Sequence, residues 1–250
     1  MRLAIMQPYF FPYIGYFHLA AAVEAFIVYD NIKYTKKGWI NRNRMLQNGK
    51  DVVFTLPLQG APDSNLVCQR ELSSSFNRDK LLDQLAGAYR RAPYFDPTYA
   101  VIDPIIRHRD INLFGYLYHS IVTLARHFGL QTAFSSSSAH VIDRELKGQE
   151  KVLALCQAAG ASTYVNAIGG LALYDPLSFA DYGIGLRFVK SRSFEYSQFG
   201  AAFVPWLSII DVMMFNAPEI VRAAIGSGYD LIEAPPDRDD KAGHRASLPI

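Results

Sequence analysis

Thiols are nearly absent, since only Cys68 and Cys156 occur in 250 residues. They stand far apart and lack the paired spacing of a structural zinc site or a disulfide framework. Both read as packing residues. Cys156 lies in "EKVLALCQAAGA", where Val152, Leu153, Leu155 and Cys156 recur at helical spacing. A surplus of one charge is also missing: 25 Lys and Arg against 23 Asp and Glu give a formal net charge of +2. That balance argues against a nucleic-acid partner and against an acidic disordered chain, so any affinity for phosphate must be local. No run of about 18 apolar residues suggests a membrane span, and the first residues do not read as a secretory signal. A cytoplasmic location is the resulting expectation. Walker, dinucleotide and Gly-x-Ser-x-Gly fingerprints are absent, as is any visible internal repeat. The six histidines complete no metal set; His119 and His127 are eight apart with no Glu or Cys to join them. No metal site is expected.

What is present is a chain half apolar and long enough for a large core. "RLAIM" reads as a buried strand, Gln7 to Pro12 as a loop, Ile14 to Ala25 as a helix and "AFIVYD" as a second strand, a β-α-β opening. "DVVFTLPL" follows the turn signal Asn48-Gly49, which can close a hairpin with "NIKYTKKGWI". Helical periodicity fills "RDKLLDQLAGAYRRA" and "LFGYLYHSIVTLARHFGL", the latter ending at Gly129. Strand and helix patterns then alternate through "TAFSSSS", "EKVLALCQAAGA", "STYVNA", "GIGLRFV" and "PWLSIIDVMMFNA". The expected fold is α/β, a parallel or mixed sheet flanked by helices with a Rossmann-like opening and a helical middle. One domain over residues 1–235, with a helical sub-lobe around 78–130 and a loosely ordered tail over 236–250, is the expected organisation.

Four stretches can carry chemistry. "QPYFFPYIGYF", Gln7 to Phe17, follows the first strand, where open α/β sheets bind ligands. Gly15 permits close backbone approach near a helix start whose N–H groups suit a phosphate or carboxylate. Its Pro-Tyr-Ile-Gly-Tyr core is similar to the His-x-Gly-His stretch of nucleotidyltransferases, with Tyr13 and Tyr16 where the histidines stand. Tyrosine is neutral at pH 7 and offers only a hydroxyl or a stacking face, so the ligand fits better than adenylyl transfer. The phenylalanines fit equally well as wedges between helix and sheet. "YDNIKYTKKGWINRNR" gathers Lys33, Lys36, Lys37, Arg42 and Arg44 around Tyr34 and Trp39, after Asp30. Such a segment can hold a diphosphate or be a solvated hairpin. "TYVNAIGGLALYD" sets Asn166 and Gly169-Gly170 after a strand, as an anion-binding or plain turn. "YSQFGAAFVPWLSIIDVMMFN" holds Gln198, Ser208 and Asp211, the last two either sharing a helix face or forming a cap.

Five motifs in order, "MQPYFFPYIGYF", "VYDNIKYTKKGWINRNR", "YRRAPYF", "TYVNAIGG" and "YSQFGAAFVPWLSIIDVMMFN", resemble the WbqC-like family from Arg2 to about Ala217. The resemblance implies a setting in bacterial O-antigen and other surface-polysaccharide gene clusters, and an activated or amino sugar as substrate. Gln7, Asp30, Lys36, Asn41, Arg42, Asn166, Gln198, Ser208 and Asp211 are family-typical polar positions kept here. Asn31-Ile32 stands where relatives often carry Asp-Val. The expected activity is transfer of an acyl or aminoacyl group to a nucleotide-linked amino sugar, with acyl-CoA or ATP and magnesium as candidate cofactors. Lys36, Arg42 and Arg44 would hold the diphosphate, Tyr13 or Trp39 would stack on base or sugar, and Asp30 or Asp211 would be the general base. Gly170 and Gln198 would donate to the oxyanion. A carboxylate base needs burial to raise its pKa toward neutrality, or it serves only to orient the amine. The alternatives are an ATP-dependent ligase or nucleotidyltransferase with a degenerate histidine motif, and a non-enzymatic nucleotide-sugar binding protein.

Overall fold

A computed structural model describes residues 1–234. The tail expected over 236–250 lies outside the described residues. In chain order the strands are β1 (Arg2–Met6), β2 (Ala25–Val28), β3 (Arg42–Gln47), β4 (Lys50–Thr55), β5 (Ala133–Ser136), β6 (Thr163–Ala167), β7 (Gly185–Ser191) and β8 (Tyr229–Glu233). The helices are α1 (Ile14–Ala21), α2 (Arg78–Tyr89), α3 (Phe95–Ile106), α4 (Leu113–His127), α5 (Gly148–Ala158), α6 (Pro176–Asp181), α7 (Ile209–Phe215) and α8 (Pro218–Ser227).

Six strands form one sheet in the order β5-β2-β1-β6-β7-β8, parallel except for β8. Counted along the chain within this sheet, the order is that of a doubly wound fold. The chain works outward from β1 through β2 to β5, then returns to β6 on the other side of β1. Strand order therefore reverses between β1 and β6, the place where such sheets open a ligand crevice at their carboxyl edge.

Because successive strand residues point to opposite faces, the sheet divides its apolar residues between two helix layers. Leu3, Ile5, Ile27, Tyr164 and Phe188 pack with Val152, Leu155 and Cys156 of α5 and Phe179 of α6. Ala4, Phe26, Val28, Val165 and Val189 meet Tyr16, Leu19 and Ala20 of α1 and Ile121 of α4. Cys156 is fully buried there, and burial pushes its thiol pKa up to about 12. A third cluster joins Phe10 and Phe17 to the β3–β4 hairpin and to α2, α3, α4 and α7. Each large side chain so buried contributes about 1.5–3 kcal/mol.

The hairpin corrects one expectation. Its first arm is Arg42–Gln47, not the segment "NIKYTKKGWI", and it stands as a separate two-stranded sheet. Asn48 and Gly49 both take left-handed φ, 52° and 73°, so the tight turn pairs Gln47 with Lys50 and fixes the whole register. Six-residue arms then reach back only to Arg42, leaving Asn31 to Ile40 as loop with an isolated bridge from Lys33 to Leu66. Alanine at Gly49 is expected to lower stability by about 1 kcal/mol, since an L side chain resists that φ. Urea titration should show an earlier midpoint with an unchanged slope; an unmoved midpoint would mean the turn relaxes.

Candidate functional site

The loop after β1 is held from below. Phe11 adopts φ 43°, a left-handed conformation costing about 1–3 kcal/mol unless its surroundings enforce it. Here they do: Asn43 Nδ2 donates to the carbonyls of Phe10 and Phe11 at 3.0 and 2.8 Å, and Ser208 Oγ donates to Phe11 O at 2.8 Å. Phe10 N–H donates to Ile40 O and Ile209 N–H to Pro12 O. The result sorts the aromatics of this stretch. Phe10, Phe11 and Phe17 are fully buried, whereas Tyr13 is only half-buried, its ring 5.2 Å from that of Trp206. Tyr16 packs on Phe17 and Phe26, and its buried hydroxyl has no partner among the described residues. Burial lifts its pKa well above the ordinary tyrosine value. A side chain at Gly15 would sit 2.7 Å from the Tyr13 ring and 3.1 Å from Ser191 Oγ, so glycine lets α1 approach the end of β7.

At the next strand, Asp30 is 5% exposed. Its carboxylate accepts from Ser137 Oγ at 2.6 Å, Ser138 N–H at 2.9 Å and, through a very short bond, Ser138 Oγ. The parallel pairing of β2 with β5 brings these serines in. Beside them Lys151 Nζ donates to the backbone and side-chain oxygens of Asn31 at 3.1 and 2.8 Å and lies 5.3 Å from the Tyr29 ring centre. Burial draws the Lys151 pKa below its ordinary value, with Asp30 opposing. Ser137, Ser138 and Lys151 escaped the sequence reading. The available signal was a lysine four residues before Leu155 on the buried stripe of α5.

Across the reversal point, Asn166 Oδ1 accepts from Ala167 N–H at 2.8 Å, and its amide nitrogen has no protein acceptor among the described residues. A Cβ at Gly170 would collide with that nitrogen, so glycine there makes room for the amide. Gln7, at the exit of β1, is half-buried and likewise without a hydrogen-bond partner among the described residues. The Gln7 amide and the Asn166 amide nitrogen thus stand open at the ends of the two strands that flank the reversal.

The basic segment divides. Trp39 lies beneath the guanidinium groups of Arg42 and Arg44, 5.7 and 5.2 Å from the ring centre. Arg42 donates to Gly38 O and Lys37 O, while Arg44 reaches Trp206 O at 3.2 Å and Asp51 at 3.3 Å. Lys36 pairs with exposed Asp63 at 2.7 Å. Asn41 turns inward, accepting from Tyr34 Oη and donating to Leu56 O, both at 2.7 Å.

Gln198, Ser208 and Asp211 come together at the start of α7 and face the interior. Ser208 caps the helix through Ile210 N–H, without a carboxylate partner in that cap. Asp211 has no exposed surface and accepts from Tyr89 Oη at 2.9 Å, Tyr196 Oη at 2.8 Å and Gln198 Nε2 at 2.7 Å. Burial raises its pKa while the three donors hold it down. Gln198, 1% exposed, spends its remaining amide capacity on Val204. Helix α7 begins at Ile209 rather than at Pro205, because Trp206 takes φ 62°.

Among the described residues no helix is long and apolar enough to cross a membrane. No solved structure matches the chain. The uncharacterized protein Rv1507c of Mycobacterium tuberculosis is 28% identical over 230 residues, covering 88% of this chain and 97% of that protein. The model of the WbqC-like protein family matches residues 7–223, which takes in the loop after β1, the basic hairpin, Asn166 and the Asp211 network. The chain therefore belongs to the WbqC-like protein family.

Proposed function

We propose that the protein transfers an acyl or aminoacyl group to a nucleotide-linked amino sugar in bacterial surface-polysaccharide (O-antigen) biosynthesis, acting in the cytoplasm. The observation that carries this reading is the pair of amide groups left open to a ligand, the Gln7 side chain and Asn166 Nδ2, on either side of the strand reversal, with the Asp30–Ser138 pair at the end of the neighbouring strand. Side-chain amides without protein partners suit a ligand rich in hydroxyl and amide groups. In this proposal the sugar lies over Gln7 and Asn166, and the diphosphate lies along Arg44 and the first N–H groups of α1. The sugar nitrogen attacks the acyl carbon, the donor's thiolate or phosphate leaves with its electron pair, and the nitrogen's surplus proton passes to Asp30 by way of Ser138. Asn166 Nδ2 then takes the oxyanion-donating role for which Gln198 is too deeply engaged. Asp211 orients Tyr196 and Tyr89.

A second reading, a nucleotide-sugar binding protein without catalysis, is favoured by the three protein donors that already hold Asp30. Adenylyl transfer is less well supported, because Tyr16 is committed to the core and Tyr13 is uncharged at neutral pH. Thermal melting separates the ligand classes by mass action. Amino-sugar nucleotides carrying UDP or dTDP should raise the melting temperature, by the equivalent of about 2.7 kcal/mol at a hundredfold excess over Kd. Stabilisation by ATP with magnesium alone would contradict the proposal.

A further inference from the structure

Arg70 is the most deeply buried lysine or arginine among the described residues, 4% exposed. Its Nη2 donates to Pro62 O at 2.8 Å, and its guanidinium carbon lies 4.4 Å from the Tyr34 ring centre. The rest of the fork is unused. Among the described residues no carboxylate lies within ion-pair distance of it, Nε is buried without a partner, and Nη1 makes no hydrogen bond. A buried charge without a counter-charge costs more than stacking on one tyrosine returns. A guanidinium kept in that state suits an anion from outside the chain, above all a phosphoryl group, which can accept from its planar fork through two oxygens at once.

The surroundings of Arg70 are basic. Lys33 is exposed and, like Arg42, has no carboxylate partner among the described residues, while Lys36 Nζ meets Asp63 at 2.7 Å. The Asp63 carboxyl is held below its usual range first by its bond to Lys36 and then by the charges of Arg70 and Lys33. Burial raises the Tyr34 pKa, and the charges of Arg70, Arg42 and Lys36 oppose that rise. Four cations thus gather about Tyr34 and Asp63 with one carboxylate among them, a local surplus of three positive charges in a chain whose formal net charge is +2. Such a surplus fits a phosphate dianion or a diphosphate better than a single carboxylate. The place is tied to the carboxyl edge of the sheet, since Cys68 N–H donates to Asp30 O and Val67 N–H to Ile32 O, just beyond β2.

We infer that Arg70, Lys33 and Lys36 form a binding site for a phosphoryl group, with Asp63 competing with that group for Lys36. The site is separate from the place given above to the sugar nucleotide's diphosphate, along Arg44 and α1, and it stands whether or not any transfer occurs. Calorimetric titration of the full chain with inorganic pyrophosphate at low ionic strength tests it, where surface charges are least screened. Arg70→Lys keeps the charge but loses the fork, and should weaken binding about tenfold or more. Lys33→Ala should weaken it about two- to fivefold, and Asp63→Asn should tighten it by a similar factor, the scale of one exposed charge pair. Lys33 and Asp63 are exposed, so both variants should keep the wild-type circular dichroism even if Arg70→Lys does not. Lys50→Ala, at the hairpin turn, should change nothing. No pyrophosphate binding by the wild type, unchanged affinity in both Lys33→Ala and Asp63→Asn, or an equal loss in Lys50→Ala would overturn the inference. Coenzyme A, ATP and a UDP-amino sugar, titrated in turn, identify the source of the phosphate as the ligand that weakens in Lys33→Ala and tightens in Asp63→Asn. A response from the sugar nucleotide would support this site and overturn only the placement of its diphosphate along Arg44.

Discussion

Replacing Asp211 with alanine is expected to cost about 3–5 kcal/mol of folding stability, the range for removing one partner of a buried charged network. The carboxylate is the common acceptor for Tyr89, Tyr196 and Gln198, and no water reaches it from the surface. Each donor left unpaired in the interior costs about 1–3 kcal/mol, partly offset by no longer burying a charge. The loss would spread, because Tyr89 Oη also accepts from Leu46 N–H and so ties the network to the hairpin. Asparagine keeps one acceptor oxygen and should cost less. The pH dependence has a definite sign. Burial raises the folded-state pKa of Asp211 above 3.8, so the group's contribution is complete below that value and is lost as pH rises through the folded pKa. The stability of the wild type relative to Asp211→Asn should therefore fall as pH rises from about 4. Urea titrations at several pH values test both statements; a loss below 1 kcal/mol for alanine would mean solvent enters and replaces the carboxylate.

Alanine at Gly170 should damage the proposed ligand site as severely as alanine at Asn166. The added methyl claims the space of Asn166 Nδ2, so the amide must rotate away or the turn must shift, at about 1–3 kcal/mol. Either variant removes the free donor, which should weaken binding of an amino-sugar nucleotide about tenfold, the worth of a hydrogen bond that leaves its partner unsatisfied. The double variant should be no worse than Asn166→Ala alone, because both changes act through one group. Additive losses in a titration calorimeter would show that Gly170 acts by another route.

Local features of the sequence were informative where the chain itself supplies the partner. The apolar run Arg2–Met6, the Asn48-Gly49 turn and the stop at Gly129 all correspond to elements in place. Alternation of strands and helices was enough to expect a sheet that binds at its carboxyl edge, and Gln7, Asp30 and Asn166 do stand at strand exits there. What could not be read is direction and distant pairing. Asp30 finds Ser137 and Ser138 only because β2 lies beside β5, a neighbour more than a hundred residues away. Whether a buried polar side chain finds protein partners is decided by tertiary packing, so Asn41, Gln198 and Asp211, fully engaged inside the fold, looked alike in sequence to Asn166, whose amide nitrogen finds no acceptor among the described residues. Trp206 gave no local sign of its reversed backbone, since a positive φ at tryptophan is imposed by its surroundings.

The proposed reaction joins an acyl or aminoacyl group to the amino sugar. Mass spectrometry of a UDP- or dTDP-amino sugar incubated with the protein and either acyl-CoA, or amino acid with ATP and magnesium, tests it most directly. A new species heavier by the donor's carboxylic acid or amino acid less one water is expected, absent without protein and reduced in Asn166→Ala. An unmodified sugar nucleotide with every donor, from protein that binds it, would contradict transfer and establish a binding protein instead.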